Sequence, residues 1–211
     1  MDLVKEDGSF FNCKEVEHIE QFMADTFIEK HDKVLELGAR YGSVSIVTNK
    51  KLDDKTDHVV VEPDETVWEA LEQNKKTYDC HFQIVKGFLS ERKMYLKYQD
   101  YSTHYTDNPT DKSVPSVSMS NFSDIKFNVL IADCEGGLGA FFDEYPYLYD
   151  GFTKVMMEED GNIDYKPIKV NLMKRGFIKV FEHGDYNGLL HSVWLKVVNH
   201  PINYAVYSKI N

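Results

Sequence analysis

Between Val16 and Glu29 apolar residues fall at Val16, Ile19, Phe22, Met23 and Phe27, spaced three and four apart, which predicts an amphipathic helix. It sits in an N-terminal helical segment, residues 1–32. The pattern then changes. Lys33-Val-Leu-Glu-Leu37 is a short apolar run ending at a glycine and reads as a buried strand followed by a tight turn. His58-Val-Val-Val-Glu62 is a second such run, stopped by Pro63, which has no N–H for a sheet ladder. Thr66–Lys76 is rich in helix formers, and Phe82–Val85 offers a third strand before Gly87. Phe127–Asp133 and Lys154–Glu158 are the fourth and fifth strands, and Lys166–Arg175 is a helix stopped by Gly176. The stretch between the third and fourth strands, residues 99–117, is polar, with two prolines and two tyrosines. It predicts a long loop, of the kind that usually serves a function.

The last section differs in kind. Phe177–Phe181 and Ser192–Val198 are strand-like runs joined by His183-Gly-Asp-Tyr-Asn-Gly188, too short for a helix. These two strands should pair antiparallel, whereas strands separated by helices should run parallel. The expectation is a doubly wound α/β sheet with a terminal hairpin in a single domain, residues 1–211. Ligands of such sheets bind beyond the carboxyl ends of the strands.

Composition adds limits. Hydrophobic residues make up 42% of the 211, enough for a core, and no run approaches the roughly 20 apolar residues of a membrane span. The N-terminal residues lack the apolar stretch of a secretory signal, and Cys13, Cys80 and Cys134 are odd in number and widely spaced, so a reducing, cytoplasmic setting is expected. The net charge is −11, and three of the 24 basic residues are arginine (Arg40, Arg92, Arg175). On that balance no nucleic-acid partner and no membrane partner is expected.

Candidate chemistry clusters at strand ends. The first strand runs into Glu36-Leu-Gly-Ala-Arg-Tyr-Gly42, where Gly38 and Gly42 allow a sharp turn close to a ligand, without the GxGxxG spacing of a dinucleotide site. The second ends at Glu62, whose carboxylate could accept both hydroxyls of a ribose. The fourth ends in Asp133-Cys-Glu-Gly-Gly137 and the fifth in Glu158-Glu159-Asp160-Gly161. Asp133 with one or two of Glu158, Glu159 and Asp160, in the first place Glu159 and Asp160, could hold a hard divalent cation, Mg or Mn; the same acidity would equally suit a positively charged cofactor.

In order and spacing, Leu35-Glu-Leu-Gly-Ala-Arg-Tyr-Gly42, Val61-Glu-Pro-Asp64 and Ile131-Ala-Asp-Cys-Glu-Gly136 resemble the FkbM-type class I S-adenosylmethionine-dependent methyltransferases. Val114-Pro-Ser-Val-Ser-Met119 and Asn74 add to the resemblance, which spans about residues 33–182. Two positions depart from the family pattern, Ile131 in place of a lysine and Leu138 in place of a glutamate. The resemblance implies a Rossmann-like fold with a seven-stranded, mostly parallel sheet, a C-terminal antiparallel hairpin and helices on both faces. It implies S-adenosylmethionine as cofactor, with Glu36, Gly38 and Gly42 at its methionine end, Glu62 on the ribose, Gly87 and Phe88 flanking the adenine, and Asp133 beside it.

The expected activity is O-methylation of a hydroxyl on a sugar, glycan or other small acceptor. The 99–117 loop would act as acceptor lid. Candidate bases are Asp133, Glu135 and His183, with His191 beside them. Two alternatives are an NAD-type oxidoreductase or epimerase, and a non-catalytic domain that retains the fold. A chain of this length could also be one domain of a longer polypeptide.

Overall fold

A computed structural model describes residues 1–13, 17–99, 102–106, 108–160, 163–184 and 188–197. Val16 of the expected first helix, Gly161, Asp185 to Asn187 of the terminal turn, and Val198 with the tail after it lie outside the described residues.

The chain opens with a hairpin that the sequence reading missed, β1 (Asp2–Val4) against β2 (Phe10–Asn12), so residues 1–32 are not wholly helical. Then follow α1 (His18–Phe27), β3 (Val34–Leu37), α2 (Ser43–Lys51), β4 (His58–Glu62), α3 (Trp68–Thr77) and β5 (Gln83–Lys86). Next come β6 (Phe88–Leu89), β7 (Met94–Gln99), β8 (Ser102–Thr106), β9 (Lys112–Val114) and β10 (Ser116–Val117). The remainder is β11 (Val129–Ala132), α4 (Gly137–Glu144), α5 (Leu148–Gly151), β12 (Lys154–Glu159), α6 (Lys166–Lys174), β13 (Phe177–Gly184) and β14 (Leu190–Lys196).

Seven strands form the main sheet in the order β13-β14-β12-β11-β3-β4-β5. All its pairings are parallel except those of β14, which runs antiparallel to both β12 and β13. The expected terminal hairpin is therefore present. The buried run of β3 alternates its partners as a two-sided strand must: Leu35 and Leu37 pack into the cluster of α4 to α6, and Val34 packs against Met23, Phe27 and Val44 on the other face. A third cluster joins the N-terminal hairpin to α2 and α3 through Leu3, Ile46 and Leu71. Asn74 braces it. Its side chain accepts from Val4 N at 2.8 Å and donates to the Val4 and Tyr41 carbonyls, both at 3.0 Å.

The expected long polar loop is largely a second, three-stranded antiparallel sheet, β8-β7-β9. Its residues are Tyr, Thr and Ser rather than aliphatic. They pair because only one side needs to be apolar: Met94 and Leu96 are buried, while Tyr95 is half-buried and Lys97 exposed. Cys13 and Cys80 are buried and Cys134 half-buried, all three as free thiols. Among the described residues no helix is long and apolar enough to cross a membrane.

Candidate active site

A cleft opens beyond the carboxyl ends of β3, β4, β11 and β12, with about 1210 Å³ of empty space, its open mouth included. Of the residues anticipated from sequence, Glu36, Gly38, Glu62, Phe88, Asp133 and Glu135 line it. The turn after β3 is made by backbone that crowds its neighbours. Gly38 has φ +83° and lies so close to β11 that a Cβ would fall 1.6 Å from the Asp133 carbonyl oxygen. Gly42, at φ +84°, precedes α2 and lies just behind the cleft.

Glu62 fixes that turn. One carboxylate oxygen accepts from the Ala39 N–H at 3.1 Å and the Arg40 N–H at 2.6 Å, and the other accepts from Asp64 N at 2.7 Å. The side chain is 4% exposed, and burial raises its pKa against the pull of those three donors. Glu36 lines the cleft with both carboxylate oxygens engaged inside the protein. Its oxygens are engaged by the Ser45 hydroxyl at 2.6 Å and by His58 Nε2 at 2.9 Å, so it ties β3 to α2 and β4 from beneath the cleft. Gly87 lies outside the lining, behind Phe88; its N–H donates to the Glu62 carbonyl at 3.0 Å.

The inserted sheet supplies an apolar wall that the sequence reading did not find: Met94, Leu96 and Tyr105 face the cleft beside Phe88 and Leu89. It is fastened to the segment after β4. The Tyr98 hydroxyl donates to Asp64 at 3.1 Å, and Lys112 pairs with Glu65. Tyr105 meets Phe88 edge to face, with ring centroids 6.2 Å apart.

Opposite stands an acidic wall of Glu17, Glu20, Asp133, Glu135 and Glu158. Burial, then the repulsion of Glu158, Glu17, Glu20 and Asp160, holds the Asp133 carboxyl well above the usual range. Burial first and Asp160 second push Glu135 up to about 7, and burial likewise pushes Glu158 up to about 7. Burial alone would lower the His191 pKa, but its bonds to Glu158 and Glu20 raise it to about 10. Glu17 and Glu20 went unnoticed in the sequence: Glu20 lies in the first turn of α1, and Glu17 is the residue just before the helix, in a left-handed conformation (φ +53°) that apolar periodicity does not show.

Two expected site groups fall apart. Glu158 and Glu159 are neighbours on a strand and so point to opposite faces. Glu159 turns away from the cleft toward Lys169 and Ser192, which removes it from the set Asp133, Glu159, Asp160. Asp160 accepts from the Tyr165 hydroxyl at 2.7 Å. His183 belongs to β13 rather than to a linker; it is exposed and away from the cleft. His191 lies within β14, 3% exposed, directly behind the acidic wall.

Glu17 illustrates how this wall affects stability. Burial pushes its carboxyl up to about 7, with Glu20, Glu36 and Glu158 adding repulsion and the Ser43 hydroxyl bond opposing them. A carboxyl whose folded pKa lies above its unfolded value of 4.5 favours folding most when protonated. Stability is therefore lost as pH rises from about 4.5 through 7. Glu17→Gln is expected to stabilise the metal-free and cofactor-free protein by on the order of 2 kcal/mol at pH 8 and by nothing near pH 4.5. Thermal melts at the two pH values read this directly, and a pH-independent effect would refute it.

A seven-stranded sheet in this order, with the sixth and seventh of its strands in chain order forming an antiparallel hairpin at one edge and a glycine turn after the first, β3, is the Rossmann-like class I methyltransferase fold. Solved structures bear this out. A putative RNA methyltransferase from Pyrococcus horikoshii superposes with a TM-score of 0.51 at 15% identity, over 87% of this chain and 82% of that one. An rRNA methylase from Streptococcus thermophilus gives 0.55 at 7% identity, over 86% and 96%. A putative tRNA (m1A22) methyltransferase from Streptococcus pneumoniae, in complex with S-adenosyl-L-methionine, gives 0.53 at 10% identity, over 92% and 82%. No family model matches the chain, and no curated protein does.

These neighbours overturn the expectation of no nucleic-acid partner, since three proteins with this fold are named for RNA. The physical flaw lay in using a whole-chain sum. Eight of the 35 acidic residues line one cleft, and a whole-chain sum does not describe how charge is spread over the surface that a polyanion would meet.

Proposed function

We infer that this chain is an S-adenosylmethionine-dependent methyltransferase and that the cleft receives both cofactor and acceptor. The observation that carries this reading is the buried Glu62 carboxylate, held at the end of β4 by three backbone N–H groups and bordering the cleft. The donor set fits the group: an apolar wall for a base, a fixed carboxylate for vicinal hydroxyls, and an acidic wall for positive charge. Glu62 takes the ribose hydroxyls, Phe88 with Leu89 and Leu96 flanks the adenine, and the bare backbone at Gly38 lies along the methionine part, with Gly42 behind it. Glu36 acts from beneath by fixing the strand ends. The sheet β7 to β9, anchored through Asp64 and Glu65, covers the ribose side.

When bound, the cofactor supplies an activated methyl group on a positively charged sulfur. The chain's own residues must hold the acceptor in line, exclude water and take the acceptor's proton. Glu135, with its carboxyl near 7, is the group best poised to take that proton, and Asp133 beside it orients the acceptor. His183 has no part in this arrangement.

The fold neighbours make an RNA base the first acceptor class to test. A second reading, O-methylation of a sugar hydroxyl, rests on the FkbM-type motifs at residues 35–42, 61–64 and 131–136. The oxidoreductase alternative loses ground because the turn after β3 lacks GxGxxG and the sheet ends in a hairpin. Calorimetry with S-adenosylmethionine is expected to show one site per chain. Transfer of labelled methyl is expected into tRNA or rRNA fractions, unchanged by His183→Ala. Binding without transfer to RNA or to glycans would point to the non-catalytic alternative, and absence of binding would end the proposal.

A further inference from the structure

Within the acidic wall, Glu20 and Glu158 meet a buried histidine to which the proposed methyl transfer gives no role. Glu20 comes from α1, Glu158 from β12 and His191 from β14, three elements that meet only in the folded chain. His191 Nε2 stands 2.8 Å from Glu20 Oε1 and 2.8 Å from Glu158 Oε2. One donor atom from each residue falls within 4.8 Å of the other two. His191 and Glu20 are 3% and 7% exposed.

The ring nitrogen carries at most one hydrogen, so it cannot donate fully to both carboxylates, and Glu20 and Glu158 hydrogen-bond to each other, which takes a further proton on one of them. A single cation at this point would replace both protons. The other nitrogen, Nδ1, is buried without a hydrogen-bond partner among the described residues. As the imidazolium that its two carboxylates favour, His191 buries a charged N–H lacking an acceptor, whereas a cation on Nε2 would leave Nδ1–H on a neutral ring. Among the described residues the salt bridges of Glu20 and Glu158 are to His191 alone, with Glu17 and Asp133 adding like charge nearby. The site thus has two carboxylates, a single ring donor and no lysine or arginine bridge.

We propose that Glu20, Glu158 and His191 bind a divalent transition-metal ion such as Mn(II). Ligands about 2.0–2.2 Å from a metal and roughly at right angles stand about 3 Å apart, close to the two separations of 2.8 Å. An imidazole beside two carboxylates suits Mn, Fe or Zn, whereas Mg and Ca favour oxygen ligands throughout. Glu20 and Glu158 also line the cleft, so the ion's remaining positions face the space that holds the acceptor. The site is distinct from the Asp133, Glu159, Asp160 set anticipated from sequence, and it stands whether or not the cleft takes S-adenosylmethionine.

The test is titration of the chelator-stripped full chain with MnCl2, following free Mn(II) by electron paramagnetic resonance. One saturable site per chain is expected. Glu158→Gln and His191→Gln should each weaken it at least about 30-fold, and Glu159→Gln, on the opposite face of β12, should leave it unchanged. Circular dichroism shows whether each variant folds. Anomalous scattering from Mn(II)-soaked wild-type crystals locates the ion without any variant, between Glu20, Glu158 and His191. Absence of saturable binding, binding that survives both substitutions, or an anomalous peak elsewhere overturns the proposal.

Discussion

Gly38→Ala is expected to lower stability by about 4 kcal/mol or more, the range reserved for clashes that a fold cannot absorb. The new methyl would sit 1.6 Å from the Asp133 carbonyl oxygen, and the obstacle is backbone rather than the end of a side chain. Relief requires separating β3 from β11 where the Asp133 N–H donates to the Leu37 carbonyl at 3.0 Å, in the middle of the main sheet. The +83° φ adds strain for any residue with a Cβ. Domains of this class are stable by only about 5–15 kcal/mol, so the variant should melt more than about 8 °C lower or fail to accumulate folded. A melting temperature within about 3 °C of wild type would show that this packing is wrongly described.

Glu62→Ala is the second large effect. It removes the acceptor for three backbone N–H groups, at Ala39, Arg40 and Asp64, in a position 4% exposed. Hydrogen bonds to a charged acceptor contribute about 1.5–3 kcal/mol each, and buried donors left unpaired lose that and their desolvation too. The turn over Gly38 would then lose its anchor and the proposed ribose ligand together. Affinity for S-adenosylmethionine should fall more than about 100-fold, roughly 2.7 kcal/mol, at a temperature where circular dichroism shows the variant folded. Glu62→Gln, which keeps one acceptor oxygen, should fall in between. Binding within threefold of wild type in the alanine variant would remove Glu62 from the cofactor site.

The strands that were legible in the sequence are those buried on both faces. Val34 to Leu37, His58 to Glu62 and Val129 to Ala132 are fully buried and mostly apolar because helices cover them on each side. The terminal hairpin was legible for a different reason, the shortness of its connection. The N-terminal hairpin was not, because three-residue strands such as Asp2–Val4 are too short to show any period. The inserted sheet was hidden by composition: its tyrosines, threonines and serines resemble a loop unless Met94 and Leu96 are read as one face of a strand. At the site, chain order showed which strand ends carry carboxylates. It did not show which way each one turns, and that is why Glu159 and His183, which lie outside the cleft lining, were grouped with residues that line it. His191, noted only beside them, is the histidine that the fold carries to the acidic wall.

The order of strands in the sheet also bears on how the chain reaches this structure. β3 is the first strand of the main sheet to be synthesised, yet it lies inside the sheet, and one of its two edges is completed only by β11. Lys33 N at the start of β3 is held by Asn128, 95 positions later. Until that second half emerges from the ribosome, an apolar strand edge stays open, the kind of surface that recruits chaperones and slows folding through distant contacts.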